Sequence, residues 1–256
     1  YAKSTKHSEN IALEEDDGYA ILARRFLEEH AFFKEKGRVI VFTKQGSDGE
    51  ITLASGSVPK SNTKALTTLS TLYDLLKELG FDLDPSMNEQ GKRPTSATLD
   101  ESYNILTDRI DEIMQACGDI RTKLEAQPDA KLLRNPKDKE GEGHPFMRPM
   151  IQKAIMRAIN YSLSQGIDKS IIFDRLKVLD WEISESPWNS VAQTTEGRVK
   201  MLTGRDYVNV LDSLLRVHLC PASKSEIKKA RKAYKDLRGL DYSVSDEMLQ
   251  NNLAKT

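Results

Sequence analysis

The chain has 256 residues, of which 38% are hydrophobic, enough to bury a sizeable core as one large domain or two smaller ones. Its 38 basic and 39 acidic residues nearly balance, which excludes a protein that coats nucleic acid by bulk attraction. No run approaches the roughly 20 apolar residues of a membrane-spanning helix, and the start lacks the apolar segment of a secretory signal. We therefore expect a globular, cytoplasmic protein without membrane contact.

The first eighty residues predict two helices that flank a hairpin. Apolar residues at helical spacing between 17 and 36 predict an amphipathic helix that stops at Gly37. The apolar runs 38–43 and 51–53 predict a two-stranded β-hairpin, since a polar stretch with Asp48-Gly49 separates them. A leucine-rich stripe that ends at Gly80 predicts the second helix.

The most regular pattern runs from Leu99 to Leu124. Its apolar residues alternate steps of four and three, which is typical of a helix seated along a partner helix. Thr98 and Glu101 have the spacing of a capping box and predict the helix start. The partner stays open at this point: the stripe could pack on the chain's own helices, dock another protein or bind a second copy. Acidic residues scattered along the opposite face predict a solvated surface rather than a metal site.

Residues 127–144 divide the chain. This stretch is poor in large apolar groups and contains Pro128 and Pro136, so it predicts a flexible linker or surface loop. Before it lies a helix, hairpin and helix segment, residues 1–126. After it lies a C-terminal helical domain, residues 145–256.

The C-terminal half predicts several helices and one tryptophan-bearing loop. Helical periodicity indicates a helix before Gly166 and two more at 168–179 and 203–219. Trp181 and Trp188 lie between the last two, where we expect them to pin the loop onto the core. Arg148, beside a helix start, is a candidate contact for an anion, either a phosphate or a carboxylate of the chain itself.

The segment from Ser223 to Arg238 is strongly basic. Seven basic and two acidic residues give it a formal charge of +5, and since the whole chain carries −1, the remainder carries −6. Ser223 and Glu226 form a second capping-box pattern. The bases that recur on one helical side are Lys224, Lys228, Arg231, Lys232 and Lys235. They predict either an ordinary solvated face or a row that meets successive DNA phosphates.

Residues that could carry chemistry are isolated from one another. The four histidines show no paired metal-ligand spacing, and no glycine-rich phosphate-binding loop occurs. Cys117 and Cys220 both lie in apolar helical patterns, so we expect buried, reduced thiols rather than a disulfide. No catalytic residue, metal site or cofactor is predicted.

A series of short phrases resembles a known family. In order they are Lys36–Val39, Lys64–Leu69, Phe146–Pro149 and Asp180-Trp181 followed by Pro187-Trp188. Their order resembles the C-terminal part of the DGQHR-domain family, which includes the DndB-like proteins of DNA sulfur modification. The opening, Tyr1–Lys6, is similar to the segment that follows the family's core. It reads like the middle of a chain, so we expect a fragment of a longer protein.

The resemblance sets the functional expectation. It implies that a ParB/sulfiredoxin-like core precedes this chain, which would be the mainly α (α+β) helical remainder. It also implies an accessory or transcriptional-regulatory DNA-binding protein of a phosphorothioation-type DNA modification or defence system. The Asp-Gly-Gln-His-Arg motif itself is absent, so no residue role is carried over. Two alternatives stay open: a helical protein–protein interaction scaffold, and the non-catalytic part of a nuclease or nucleotide hydrolase.

Overall fold

The structure is a computed structural model that describes residues 11, 15–45, 50–53, 57–59, 62–89, 91–127, 129–135, 143–195 and 198–244. It is mainly helical with small strand pairs, which confirms the predicted class at that level. Tyr1–Lys6 and the Asp48-Gly49 turn lie outside the described residues. Within the described ranges, no helix combines the length and apolar character needed to cross a bilayer.

The helices and strands follow one another closely along the chain. The helices are α1 (Gly18–Glu29), α2 (Leu69–Leu79), α3 (Ser96–Ala116), α4 (Ile120–Ala126), α5 (Ala130–Arg134), α6 (Pro149–Ser164), α7 (Lys169–Lys177), α8 (Arg205–Leu219) and α9 (Lys224–Arg238). The strands are β1 (Val39–Ile40), β2 (Phe42–Gln45), β3 (Glu50–Leu53), β4 (Thr67–Thr68), β5 (Ala192–Thr195) and β6 (Arg198–Met201). Short 3₁₀ helices lie at Pro85–Asn88, Pro145–Met147 and Trp188–Ser190.

The strands form two-stranded pairs. β2 and β3 make the predicted antiparallel hairpin, with Phe42 opposite Leu53. β5 and β6 make a second antiparallel pair, and β1 and β4 a short parallel one. The parallel pair matters for the fold because it joins the end of the α1 region to the start of α2.

A single large core unites most of the helices. Buried apolar side chains from Ile11 to Leu219 belong to it, and α6 is central because it packs against α2, α7 and α8. A smaller second core forms between α8 and α9. Both predicted thiols, Cys117 and Cys220, are buried and free.

Two predicted helix ends are wrong. α1 ends at Glu29 rather than near Gly37, because the Nδ1 atom of His30 accepts hydrogen bonds from the backbone amides of Phe32 and Phe33. These local bonds compete with the helical ladder. α3 begins at Ser96, with Thr95 rather than Thr98 as the N-cap residue. The Oγ1 atom of Thr95 accepts from the Thr98 amide, so the capping box predicted one turn later does not form.

The regular stripe from Leu99 to Leu124 belongs to two helices instead of one. Gly118 and Asp119 have φ angles of 62° and 49°, and this left-handed pair separates α3 from α4. The apolar side chains of the stripe, from Leu99 to Leu124, are all buried in the chain's own core. The stripe is therefore not available to dock a protein partner or a second copy, because the side chains that would make that contact are already packed inside the chain.

The predicted linker contains ordered structure. α5 lies inside the 127–144 segment, and the backbone amide of Ala130 donates to the Thr63 carbonyl. Residues from both sides of this segment share the large core. The described part of 127–144 therefore packs as part of the fold, because two of its side chains, Arg134 and His144, are buried. Residues 136–142 lie outside the described ranges.

The break after α3 makes Gly118 a sensitive position. A Cβ atom there would lie 2.6 Å from Trp181 Cγ and 2.8 Å from His144 Nε2, and its φ of 62° disfavours any side chain. We predict that Gly118→Ala lowers the free energy of unfolding by about 2–5 kcal/mol, through backbone strain and overpacking together. Urea denaturation would measure this.

Gly166→Ala is the matched control. Gly166 also has a positive φ, 77°, but nothing lies within 4 Å of the position that a Cβ atom would occupy. The Gly166→Ala variant should therefore lose only the free energy of unfolding that backbone strain costs, about 1–2 kcal/mol. Equal losses in the two variants would contradict the close packing of Gly118 against the two rings.

Candidate functional site

Helix α9 is fixed at both ends by its own sequence. Ser223 and Glu226 form the predicted capping box: the Glu226 amide donates to Ser223 Oγ at 3.3 Å, and the Ser223 amide donates to Glu226 Oε2 at 2.8 Å. Gly239 ends the helix with a φ of 68°. A helix with both termini satisfied frays little, so its surface side chains keep a defined spacing.

One side of α9 is packed. Ile227, Ala230 and Tyr234 are buried in the second core against α8, as the apolar pattern predicts. The Tyr242 ring lies edge-on to Tyr234, with 5.1 Å between the ring centroids. The chain after α9 therefore turns back onto this helix and covers its apolar side.

The cationic side of α9 faces away from this core. At 3.6 residues per turn, the predicted basic positions fall within an arc of about 100°. Lys224, Lys228 and Lys232 are exposed and form no ion pair with any residue that the structure describes. The rise of about 1.5 Å per residue makes the row from Lys224 to Lys235 roughly 16 Å long. We call this row the cationic face.

Two of the five predicted bases are engaged with the chain itself. The Nζ atom of Lys235 lies 2.8 Å from the Oδ1 atom of Asp241, which raises the pKa of the lysine. Arg231 is half-buried and donates from Nη2 to the carbonyl of Val244. The fully available charge of the cationic face therefore lies on the exposed lysines of its first two and a half turns.

A buried histidine supports the same helix pair. His218 on α8 is 7% exposed, and its Nε2 atom lies 2.7 Å from the Tyr242 hydroxyl. Burial lowers the pKa of His218 to about 4. The imidazole is therefore neutral in the folded protein at neutral pH, and the second core holds no histidine charge.

Acid should weaken this helix pair. An unfolded histidine has a pKa near 6.5, whereas His218 in the folded protein has a pKa of about 4. Between these pH values the unfolded chain is protonated at this residue and the folded protein is not, so protonation favours unfolding. The stabilisation is complete above about pH 6.5 and is lost as the pH falls towards 4. We predict a loss of up to roughly 3 kcal/mol in the free energy of unfolding.

The His218→Gln variant tests that assignment. It should lack this component of the pH dependence, as measured by urea denaturation at several pH values. Tyr242→Phe keeps the imidazole and should keep the component. Parallel pH profiles for the wild type and His218→Gln would show that the acid sensitivity has another source.

Among the residues that the structure describes, the hydrogen-bond partners of Arg148 are neutral oxygens and not the anion that its position suggested. The residue is 8% exposed, and its Nη2 atom donates to the carbonyl of Arg134 and to Oδ1 of Asn135, at 2.7 and 2.9 Å. Burial, and then the nearby Arg134, lower the pKa of its guanidinium to about 10. Its Nη2 atom holds two neutral oxygens of the described chain, so in place of the predicted contact with a phosphate or carboxylate this atom makes a structural one.

Arg134 was missed because it lies in the segment predicted to be a linker. It is 1% exposed, and it donates from Nη1 to the Asn62 carbonyl at 2.9 Å and from Nη2 to the Ala65 carbonyl. A buried arginine that donates to main-chain acceptors acts as a clamp on the chain that it contacts. Here that chain is the connection from β3 to β4.

Several phrases that carried the family resemblance meet in space. Lys36–Val39 and Lys64–Leu69 lie side by side, because the Arg38 carbonyl accepts from the amides of Leu66 and Thr67. Gln152, on the first turns of α6, joins them to Phe146–Pro149.

The Gln152 side chain makes this junction. Its Nε2 atom donates to the Leu66 carbonyl at 3.1 Å and to the Phe146 carbonyl at 2.7 Å. Its Oε1 atom accepts from Thr67 Oγ1 at 2.9 Å. All of the amide's contacts are buried, so this residue ties the start of α2 to the start of α6. The sequence gives no distinct signal for this role, because α6 contains other polar residues, such as Lys153, Arg157 and Asn160.

The two tryptophans pack as the sequence analysis expects. Trp188 is fully buried, and its Nε1 atom donates to the Asp180 carbonyl at 2.6 Å. Trp181 stacks on His144, with ring centroids 5.4 Å apart, and donates to the Leu176 carbonyl. Both indole nitrogens are occupied by main-chain acceptors, so the rings hold their loop in place.

Other chemical groups of the described chain remain dispersed. Within the described ranges, no group of three or more histidine, cysteine or acidic side chains could hold a metal ion. Comparison of the chain with protein-family models, curated proteins and solved structures gave no match. The resemblance to the DGQHR-domain family therefore stays a prediction.

Proposed function

We propose that this chain is an accessory DNA-binding protein of a DNA modification or defence system, and that it contacts DNA phosphates through the cationic face of α9. The exposed and unpaired state of Lys224, Lys228 and Lys232 among the described residues is the observation that supports this most directly. The rest of the molecule is acidic overall, which favours a single orientation of a polyanion.

The dimensions of the face suit a phosphate backbone. Duplex DNA carries about one charge per 1.7 Å of axis, so a row of roughly 16 Å spans about ten phosphates of the two strands. Each lysine that neutralises a phosphate releases condensed counterions, and this release supplies the free energy of binding. The face is part of a capped helix that packs on α8, so the backbone positions that carry its lysines are already arranged before DNA binds.

Contact of this kind would position DNA without reading its sequence. Lysine is a flexible point charge, and phosphate contacts carry no direct base information. Recognition of a sequence or of a modification would require groups beyond the cationic face. An accessory role fits a protein that holds the DNA backbone and leaves recognition to other groups. The ParB/sulfiredoxin-like core that the family resemblance implies would supply those other contacts.

The proposal is tested by neutralising the exposed row. In Lys224→Gln/Lys228→Gln/Lys232→Gln, glutamine keeps a helix propensity close to that of lysine, so α9 should stay folded. We predict weaker duplex binding and a plot of log K against log salt whose slope is shallower by about 2.7, or about 0.9 per lost phosphate contact. Fluorescence anisotropy over a salt series measures both.

The control removes the same charge elsewhere. Lys34, Lys123 and Lys131 are exposed and lie outside α9, so Lys34→Gln/Lys123→Gln/Lys131→Gln alters net charge equally. This variant should retain most of the salt slope. If the two triple variants behave alike, or if neither changes the slope, binding does not run through α9 and the proposal fails.

A further inference from the structure

A recess lies on another side of α9 from the cationic face. It is a half-open groove of about 600 Å³ between the C-terminal end of α6, the last turns of α8 and the first half of α9. The residues that decide its chemistry are Tyr161, Ile167, Arg216, Val217, Lys229 and Ala233. Sites for small molecules have volumes of roughly 300–1,000 Å³, so the size suits an organic ligand.

The groove combines an apolar wall with two cations. Ile167, Val217 and Ala233 supply aliphatic surface, while Arg216 and Lys229 bring positive charge from two different helices. The Arg216 guanidinium lies over the Tyr161 ring, 4.3 Å from its centroid, which holds the charged plane against the wall. Neither cation forms an ion pair with a described residue.

The one carboxylate among the described lining residues is already in use. Glu226 accepts hydrogen bonds from the Ser223 amide and hydroxyl, and the hydroxyl contact is the main cause of its lowered pKa. It therefore belongs to the cap of α9, and the charge of Lys229 is a smaller cause of the same lowered pKa. The lining still holds two cations, Arg216 and Lys229, against this single carboxylate. The groove keeps a net positive charge beside apolar surface.

We propose that this groove binds a small organic anion, with an oxyanion head on an apolar or aromatic body. Arg216 is suited to hold the head through its forked donors, because carboxylate and phosphate oxygens match that geometry. Lys229 adds a second charge from α9. The body of the ligand packs on the aliphatic wall, which gains free energy from the apolar area removed from water.

This site is independent of the cationic face. Lys228 and Lys229 are neighbours in sequence, but one helical step turns them about 100° apart, so Lys228 lies on the face and Lys229 lines the groove. Each lysine is therefore the natural control for the other. Failure of DNA binding would not remove the groove, and failure of anion binding would not remove the cationic face.

Small aromatic probes test the chemistry of the ligand. Phenyl phosphate and benzoate carry the two candidate heads, inorganic phosphate has a head without a body, and benzyl alcohol has a body without a charge. We expect an aryl anion to bind more tightly than either partial probe, as measured by isothermal titration calorimetry. The better aryl anion decides between phosphate and carboxylate. No binding of either aryl anion at millimolar concentration, or equal binding of benzyl alcohol, would overturn the proposal.

Single substitutions then place the ligand. Arg216→Gln and Lys229→Gln should each raise the dissociation constant of the aryl anion about tenfold, since each removes a charge-assisted contact. Lys228→Gln should leave it unchanged while weakening DNA binding. Unaltered affinity in both groove variants would show that the anion binds somewhere else.

A thiol in the lining gives a separate readout. Cys220 is 7% exposed and lines the groove, whereas Cys117 is fully buried in the large core. Burial raises the pKa of Cys220, so alkylation by iodoacetamide is best followed at alkaline pH. A saturating aryl anion should slow modification of Cys220 in the wild type, and Arg216→Gln should need more ligand for the same protection. Full-rate modification under saturation would contradict occupancy of this groove.

Discussion

The fold depends on satisfying a run of buried and half-buried main-chain carbonyls before α2. The carbonyls of Asn62 and Ala65 accept from Arg134, and that of Leu66 accepts from Gln152. A buried carbonyl left without a donor costs about 1–3 kcal/mol, so this connection is stable only when both later side chains are in place. The donors lie 69–86 residues away in sequence. The first half of the chain therefore packs correctly only against the second, which is why one core crosses residues 127–144.

Helix α9 sits at the periphery of this arrangement, and its position follows from α8. α8 contributes Leu211 and Leu215 to the large core but Val210 and Leu214 to the small one, so it joins the two. The apolar contacts of α9 are thus mainly with α8, with the neutral His218 inside the contact. Hydrogen bonds from Tyr234 to Asn189 Oδ1 and from Arg238 to the Ala192 carbonyl also hold α9 to the segment before β5 and to its first residue. Its two proposed ligand surfaces point in different directions. A molecule in the groove would contact α6, α8 and α9 together and stabilise their packing, without touching the lysines that would meet DNA.

The sequence predicted those features that local patterns determine. Helix α9 was predictable down to its capping box, since Ser223, Glu226 and Gly239 act within one turn of the helix ends. The interruption at Gly118 could not be predicted. The apolar residues keep their spacing of three and four on both sides of the break and stay on the core side, so the pattern looks like that of one continuous helix. Gln152 and Arg134 were missed for a different reason: most of their partners are main-chain carbonyls, which leave no trace in side-chain patterns. Arg134 lies, in addition, in the segment predicted to be a linker. The same limit applies to Arg148, whose partners are also oxygens of its own chain.

Arginine and lysine differ in how they are used in this fold. Arg134, Arg148 and Arg175 each donate to a main-chain carbonyl, and other arginines are paired with carboxylates: Arg25 with Asp100, Arg109 with Asp82 and Arg157 with Asp212. The planar fork of arginine suits such fixed acceptors, whereas lysine keeps a hydrated, mobile charge. A surface of lysines on α9 can follow the phosphates of DNA but offers little geometric selectivity among bases. The groove differs in this respect, because Arg216 is held against Tyr161 and its donors have a fixed direction. Under the two proposals, selective recognition would therefore belong to the groove, and the cationic face would contribute attraction.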